Sequence, residues 1–233
     1  MKIRNCLLLT TILLSACHPT VSRSPGRNLL LVDFNSRGER KFWRQIGPGL
    51  WRIRDGYLLV HNKEQRRRVA WEGLPCTYLL MRRAFNSHHI SVQVEVEVLE
   101  IIAPYEEEPG IGIQLWSSLL QLVQPHTPPY DPGYLLAFTV RRMYLFGGFE
   151  KPLAEFRDTA VRASSSSHRL IPGRRFTLEI RQNSNVIQGY LDGKLVVDAI
   201  DPYYGRRCLS NRISLSAGGL KVKFDNLKVE WER

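Results

Sequence analysis

The chain has 233 residues, 43% of them hydrophobic and 24% charged, and a formal net charge of +11. This composition is ordinary for a globular protein of one large or two small domains, and no stretch beyond the N-terminal segment is long and apolar enough to span a bilayer. The positive charge favours acidic partners such as anionic lipid headgroups or acidic glycans. Nucleic acid is not expected as a partner, because the arginines are scattered and the densest run, residues 66–68, is short.

The N-terminal segment has the layout of a secretory signal. Lys2 and Arg4 supply positive charge, residues 7–14 are mostly apolar, and small residues precede Cys17. The tetrapeptide Leu14-Ser15-Ala16-Cys17 resembles the bacterial lipobox. That resemblance implies lipidation of the Cys17 thiol and removal of residues 1–16. An ordinary cleaved signal is the alternative. A transmembrane helix is not, because it needs about 20 apolar residues and this run is much shorter.

This resemblance carries expectations about location. Residues 17–27 are predicted to be the lipidated cysteine and a tether, and residues 28–233 the folded domain. The acyl chains would hold the protein to a lipid bilayer of the bacterial cell envelope without spanning it. His18 stands where an Asp retains such lipoproteins in the inner membrane of enteric bacteria, so the outer membrane is expected.

Two cysteines, Cys76 and Cys208, remain after the signal and the lipidated residue. In an oxidising compartment they either form a disulfide or remain as two buried thiols, and the sequence leaves both open. No clustered Cys/His pattern with metal-ligand spacing is present, so neither a metal nor a cofactor is expected.

In chain order, the sequence predicts an all-β protein whose segments of strand character are separated by turn signals. The predicted strands are 29–34, 50–53, 57–61, 77–81, 90–101, 111–116, 134–140, 143–146, 175–182, 186–191, 195–197, 212–216 and 224–231. A short helix is predicted within 156–163.

Residues 89–98 alternate strictly between polar and apolar, which predicts a strand with one buried and one wet face. Asp55-Gly56 and Asp192-Gly193 predict tight hairpins, because both dipeptides tolerate positive φ. Trp43, Trp51 and Trp231 are expected in the core. Together these patterns predict one sandwich of two antiparallel sheets.

Three stretches carry a family resemblance. They are residues 42–58, with Trp43 and Trp51 before Asp55-Gly56; residues 176–193, ending in Tyr190-Leu191-Asp192-Gly193; and residues 213–229, with Phe224-Asp225-Asn226. Together they resemble the concanavalin A-like lectin/glucanase superfamily, most closely its laminin-G-like and 3-keto-disaccharide hydrolase-like branch. The resemblance implies a jelly roll of two curved sheets whose concave face often binds a saccharide. The glutamate of the hydrolase-like branch's Tyr-Glu pair is absent here, although Tyr134 remains.

Glu95, Glu97 and Glu100 are the candidate catalytic residues. They form E-x-E-x-x-E, loosely similar to the catalytic strand of family-16 glycoside hydrolases. Carboxylates two positions apart share a strand face about 6.5–7 Å apart and could act as nucleophile and acid. The alternative is a solvated strand face.

A ligand groove is predicted at Gln114, Trp116, Tyr130, Asp131 and Tyr134. Residues 117–132 form a long Pro-rich insertion between two predicted strands, and loops of this length are often functional. Sequential strands usually pair, which would bring the strand ends and the loop to one rim. A crossover loop without ligand, and a core position for Trp116, are the alternatives.

The function that the sequence favours is non-catalytic binding of a glycan or another envelope ligand. A glycoside-cleaving enzyme that uses carboxylates on the concave sheet is the first alternative. A structural partner of other envelope proteins is the second.

Overall fold

The computed structural model describes residues 20–24, 26–35, 37–46, 49–62, 77–104, 108–116, 133–149, 159–202 and 211–232. Cys17, Cys76, Cys208, Tyr130 and Asp131 lie outside these ranges, so lipidation, the disulfide and the loop half of the predicted groove stay predictions. Within the described ranges, no helix is long and apolar enough to cross a membrane.

The chain forms two antiparallel sheets. Sheet A contains β1 (Thr20–Ser24), β2 (Arg27–Val32), β4 (Leu50–Arg54), β5 (Tyr57–His61), β7 (His89–Ile101), β12 (Arg175–Asn183), β13 (Val186–Leu191), β14 (Lys194–Ile200) and β16 (Leu220–Glu232). Sheet B contains β3 (Trp43–Ile46), β6 (Thr77–Phe85), β8 (Gly110–Trp116), β9 (Tyr134–Thr139), β10 (Met143–Phe149), β11 (Thr159–Ser165) and β15 (Asn211–Gly218). A 3-10 helix, Arg37–Phe42, precedes β3. The predicted all-β sandwich is confirmed.

The core lies between the two sheets. The predicted alternation of β7 is confirmed, since Ile90 is 3% exposed and Val92, Val94 and Val98 are fully buried while their neighbours are partly exposed. Sheet B contributes alternate residues of its own strands, such as Ile113 and Leu115 in β8. The three predicted core tryptophans, Trp43, Trp51 and Trp231, are 4%, 6% and 8% exposed, which confirms their placement.

Strand β16 joins the parts of sheet A. It pairs with β7 along one edge, and with β5 and then β2 along the other. The register with β7 shifts between Asp225 and Lys228, and Asn226 has a φ of 47° there. Because β2 and β5 share this edge of β16, β2 ends at Val32 beside the middle of β16. There the chain leaves sheet A for the 3-10 helix.

Both predicted tight hairpins are present. Asp55 and Gly56 have φ values of 51° and 79°, and Asp192 and Gly193 have 50° and 74°. These values place both central residues of each turn in the left-handed region that a two-residue hairpin requires. The turns join β4 to β5 and β13 to β14.

Two expectations are corrected by the structure. Residues 159–163 of the predicted helix belong to strand β11, which pairs with β10 and packs Ala163 against the core; residues 156–158 lie outside the described ranges. The expected tether, 17–27, contains strand β1, because residues 20–24 pair with β2 and satisfy their backbone groups there.

A close approach of the sheets generates a stability prediction at Gly189 in β13. A Cβ there would lie against Leu136 of sheet B and 2.7 Å from Val197 Cγ2. Gly189→Ala should therefore lower the free energy of unfolding by about 1–3 kcal/mol through overpacking. Urea unfolding followed by tryptophan fluorescence measures the change, and an unshifted midpoint would contradict the close approach.

Candidate ligand-binding face of sheet B

The face of sheet B that points away from the core is the candidate site, and we call it the outer face of sheet B. Its side chains alternate along each strand with core residues, because successive side chains of a strand point to opposite faces. In β8, for example, Gly112 and Gln114 alternate with the core residues Ile111, Ile113 and Leu115.

One row of residues crosses five neighbouring strands on this face, and we call it the tyrosine row. The strand registers place Tyr144, Ala137, Gly112, Ser216 and Tyr78 side by side on β10, β9, β8, β15 and β6. At about 4.8 Å per strand, the two tyrosines lie roughly 19 Å apart along the row. The row is thus a floor of small residues with an aromatic ring at each end.

The centre of the row is excluded from water, whereas its ends are partly exposed. Ser216 and Ala137 are fully buried, and Tyr78 and Tyr144 are half-buried. An added Cβ on Gly112 would lie 2.8 Å from Ser216 Oγ and 2.9 Å from Leu135 Cδ1, so the floor is closely packed at its middle. A ligand would therefore approach the row from its aromatic ends.

Two buried polar atoms on this face have hydrogen-bonding capacity left over. Ser216 Oγ and Arg212 Nε are buried and have no hydrogen-bond partner among the residues that the structure describes. A buried polar group without a partner costs about 1–3 kcal/mol. Such groups on a non-core face commonly serve a ligand or an ordered water.

Tyr144 is held in place by a polar cluster. Its hydroxyl donates to Glu108 Oε1 at 2.6 Å, and the Thr139 hydroxyl donates to the same oxygen at 3.0 Å. The Arg142 guanidinium lies 5.2 Å from the centre of the Tyr144 ring. Burial and the hydrogen bond to Glu108 raise the pKa of Tyr144 to about 12, so the ring is neutral and fixed at physiological pH.

The predicted groove residues do not all meet. Gln114 lies on the outer face of sheet B and is 3% exposed. Tyr134 points into the core instead, where its hydroxyl donates to Asp201 Oδ2 at 2.6 Å. The predicted pairing of β8 with β9 is confirmed, but its register sets Leu115 opposite Tyr134 and Gln114 opposite Leu135. Tyr134 and Gln114 therefore face opposite sides of the sheet.

One predicted groove residue has no described side chain, and three residues of the tyrosine row were not predicted from the sequence. Trp116 is the last residue of β8. The structure describes its backbone but not its side chain. Tyr78, Tyr144 and Ser216 were missed, because only the register across five strands brings them into one row. The local signal was the parity of each residue relative to core neighbours such as Leu215.

The candidate catalytic glutamates lie on sheet A, on the face away from the core. Glu97 forms an ion pair with Lys223 at 3.3 Å, and Glu95 lies directly across from Asp225. Burial, then the nearby Glu95 charge, raises the pKa of Asp225. Glu100 is exposed, and a register shift sets it opposite Lys221, so it also faces away from the core, near the end of β7.

A buried carboxyl lies where the chain crosses between the sheets. Glu39 in the 3-10 helix is 1% exposed, and burial together with the nearby Asp33 charge raises its pKa to about 7. For Asp33, burial is outweighed by hydrogen bonds from Asn35 and by its interaction with Glu39, so the pKa of Asp33 is lowered. The pair therefore holds a proton on Glu39 beside an ionised Asp33.

Among the described residues, no cluster of three or more His, Cys, Asp or Glu side chains is placed to bind a metal.

No protein-family model and no curated protein sequence matches the chain. Solved structures do. The carbohydrate-binding module CBM66 from Bacillus subtilis matches 80% of this chain and 94% of its own, with 14% identity and a TM-score of 0.53. The carbohydrate recognition domain of Emp47p matches 91% of this chain and 96% of its own, with 14% identity and a TM-score of 0.54. A sialidase matches 85% of this chain but only 18% of its own, with 12% identity and a TM-score of 0.53.

These likenesses define the class of fold. The chain is a two-sheet β-sandwich of the architecture used by carbohydrate-binding modules and carbohydrate recognition domains. At identities this low the comparison establishes the fold alone, and function has to be argued from the site.

The Asp33–Glu39 pair predicts an unusual pH dependence of stability. The ordinary pKa of Glu39 is 4.5 and its folded value is about 7. The folded state therefore keeps a proton that the unfolded chain releases. The stability from this proton is complete below pH 4.5 and is lost as pH rises through 7, a change of about 3 kcal/mol. Asp33 acts in the opposite direction, and only as pH falls below its ordinary value of 3.8.

Glu39→Gln should remove the loss of stability between pH 4.5 and 8, because the amide does not titrate. The measurement is urea unfolding at a series of pH values. Glu97→Gln is the matched control, since it neutralises a glutamate on the partly exposed face of sheet A, and it should keep the wild-type profile. A wild-type profile in Glu39→Gln as well would contradict the assignment.

Proposed function

We propose that this chain binds a saccharide on the outer face of sheet B without cleaving it. The observation that carries the proposal is the tyrosine row, whose Ser216 hydroxyl has no partner among the described residues. Arg212 Nε, likewise without a described partner, belongs to the same face four residues along β15. Sugar rings present C–H faces that stack on aromatic rings and hydroxyls that both donate and accept hydrogen bonds. Tyr78 and Tyr144 suit the first need, and Ser216 and Arg212 suit the second. Because Ser216 is buried, a sugar hydroxyl would reach it only from the adjacent Tyr78 end of the row.

The comparisons support this assignment at the level of architecture. A carbohydrate-binding module and a carbohydrate recognition domain share the sandwich over most of both chains. Binding sites in proteins are usually mostly apolar, with a few convergent polar groups. The tyrosine row fits that description, because small and aromatic residues flank the Ser216 hydroxyl along it.

The proposal includes attachment to the bacterial cell envelope. The lipobox-like tetrapeptide that ends at Cys17 supports acylation, and acyl chains would hold the sandwich at a membrane surface, by our proposal the outer membrane. The first described strand, β1, begins at Thr20, three residues beyond Cys17 in the sequence.

A glycoside-cleaving activity is the second candidate, and one observation favours it. Glu95 and Asp225 are direct cross-strand neighbours, which places their Cβ atoms about 5 Å apart. Retaining glycosidases use two carboxyl groups about 5–5.5 Å apart, one of them with a raised pKa. The pKa of Asp225 is raised, chiefly by burial. This pair lies on sheet A, away from the tyrosine row.

Saccharide binding is tested by screening the purified chain on a glycan array and measuring the best ligand by calorimetry. Ser216→Ala should weaken binding about tenfold through loss of one hydrogen bond, while stability stays equal or rises because an unsatisfied buried hydroxyl is gone. Tyr78→Ala should cost about 1–3 kcal/mol of binding free energy. Tyr190→Ala on sheet A, whose ring is covered by Arg181, is the matched control and should bind normally.

Three outcomes decide between the candidates. Unchanged affinity in both Ser216→Ala and Tyr78→Ala would place the ligand elsewhere. Release of new reducing ends from a bound glycan, lost in Asp225→Asn, would favour the enzyme. No binding to any glycan would contradict the proposed function.

Lipid anchoring is tested at Cys17. Cys17→Ser should abolish acylation and leave the precursor uncleaved by the lipoprotein pathway. It should also remove the attachment to the membrane that depends on the acyl chains. Intact-mass spectrometry of the protein from a bacterial host measures the first two changes, and membrane fractionation measures the third. An unmodified Cys17 in the wild-type protein would contradict the anchor.

A further inference from the structure

One side of the sandwich combines several edge strands, and we call it the β3–β4 side. Sheet A ends there with β1 and β4, and sheet B ends there with β3. The 3-10 helix Arg37–Phe42 contacts both β3 and β4 and closes the gap between the sheets. The opposite side is different, because β14 contacts β10 and β11 there.

The β3–β4 side is rich in exposed positive charge. Five exposed basic residues lie on or flank this side: Arg40 and Lys41 on the 3-10 helix, Arg44 on the outer face of β3, and Arg52 and Arg54 on the outer face of β4. Among the described residues 33–55, the acidic groups are fewer. Asp55 is engaged by Arg54 at 2.9 Å, Glu39 is buried, and Asp33 is exposed.

Apolar side chains are exposed among these charges. Phe42 is 36% exposed and Leu50 is 40% exposed. The Lys41 ammonium lies 5.1 Å from the centre of the Phe42 ring. Basic and aromatic side chains in such a mixture are typical of surfaces that lie in the headgroup region of a bilayer.

The chain length between Cys17 and the sandwich fixes which side can meet a membrane. Thr20 is the first residue of β1, an edge strand of this same side. Three residues of extended chain span at most about 10–11 Å. Acyl chains on Cys17 would therefore keep Thr20, at the start of β1, within about one Debye length of the headgroups, and this edge of sheet A near the membrane.

We infer that the β3–β4 side docks on the anionic phospholipid surface of the membrane that holds the acyl chains. This inference rests on the proposed anchoring at Cys17. Docking gives a second attachment beside the lipid, as stable membrane binding usually requires. It also orients the candidate site: Tyr78 on β6, next to the edge strand β3, lies nearer the membrane, and the tyrosine row leads outward to Tyr144.

The test uses the chain with Cys17→Ser, so that lipid cannot contribute, and vesicles of phosphatidylcholine with or without phosphatidylglycerol. Each basic residue near an anionic surface strengthens binding roughly fivefold. Arg44→Gln with Arg52→Gln should therefore lower co-sedimentation with phosphatidylglycerol vesicles at least tenfold. Lys194→Gln with Arg169→Gln, an equal charge change at exposed residues elsewhere, should lower it less than threefold.

A second measurement locates the contact. Hydrogen exchange with vesicles present should slow at the amides of residues 43–54 and stay unchanged at residues 194–200. It also reports whether each variant is folded. Equal loss of binding in both double variants, or no dependence on phosphatidylglycerol, would overturn the docking.

The anchor and the docking surface fail separately. An unmodified Cys17 with intact vesicle binding would remove the anchor and leave the surface. A lipidated Cys17 whose Ser variant ignores anionic vesicles would keep the anchor and remove the surface. Binding of the Ser variant to an acidic protein but not to vesicles would likewise overturn the membrane assignment.

Discussion

The pairing of β7 with β16 is the constraint on which the rest of this sandwich depends. Both strands are 13 residues long, and together they present the deepest apolar stripe of sheet A to sheet B. Every other connection of sheet A passes through one of them, since β12 adds to β7 while β2 and β5 add to β16. Removing apolar area from water between the sheets supplies most of the stability, and these strands position the largest continuous part of it.

Of the two register shifts between β16 and β7, the one between Asp225 and Lys228 lies where the partners on the other edge of β16 change. Strands β5 and β2 share the other edge of β16, so β2 ends beside the middle of β16. From there the chain leaves sheet A and enters sheet B through the 3-10 helix. That crossing buries Glu39 beside Asp33. Keeping the proton on Glu39 avoids the cost of burying its charge, so the stability of this crossing depends on pH.

The sequence predicted what depends on neighbouring residues and missed what depends on distant ones. The alternation of β7 and the Asp-Gly hairpins are local patterns, and the structure confirms both. Strands β1 and β11 were missed because they are short and polar or weakly patterned, and their stability comes from pairing. Tyr134 shows the limit most clearly: its strand and partner were correct, but one position of register decides whether it faces the core or the site. For Ser216 the one local signal was its parity relative to Leu215, and only the register of β15 with β8 and β6 gives it a role.

The exposed edges of the sheets carry one more consequence. An edge strand offers unpaired backbone groups to any other strand, so open edges risk edge-to-edge association between copies. Arg44 on β3, with Arg52 and Arg54 on β4, gives these edges a repeated like charge that opposes such pairing. A chain concentrated on a two-dimensional surface meets its copies far more often than in solution. The same arginines would therefore keep neighbouring molecules from adding strand to strand.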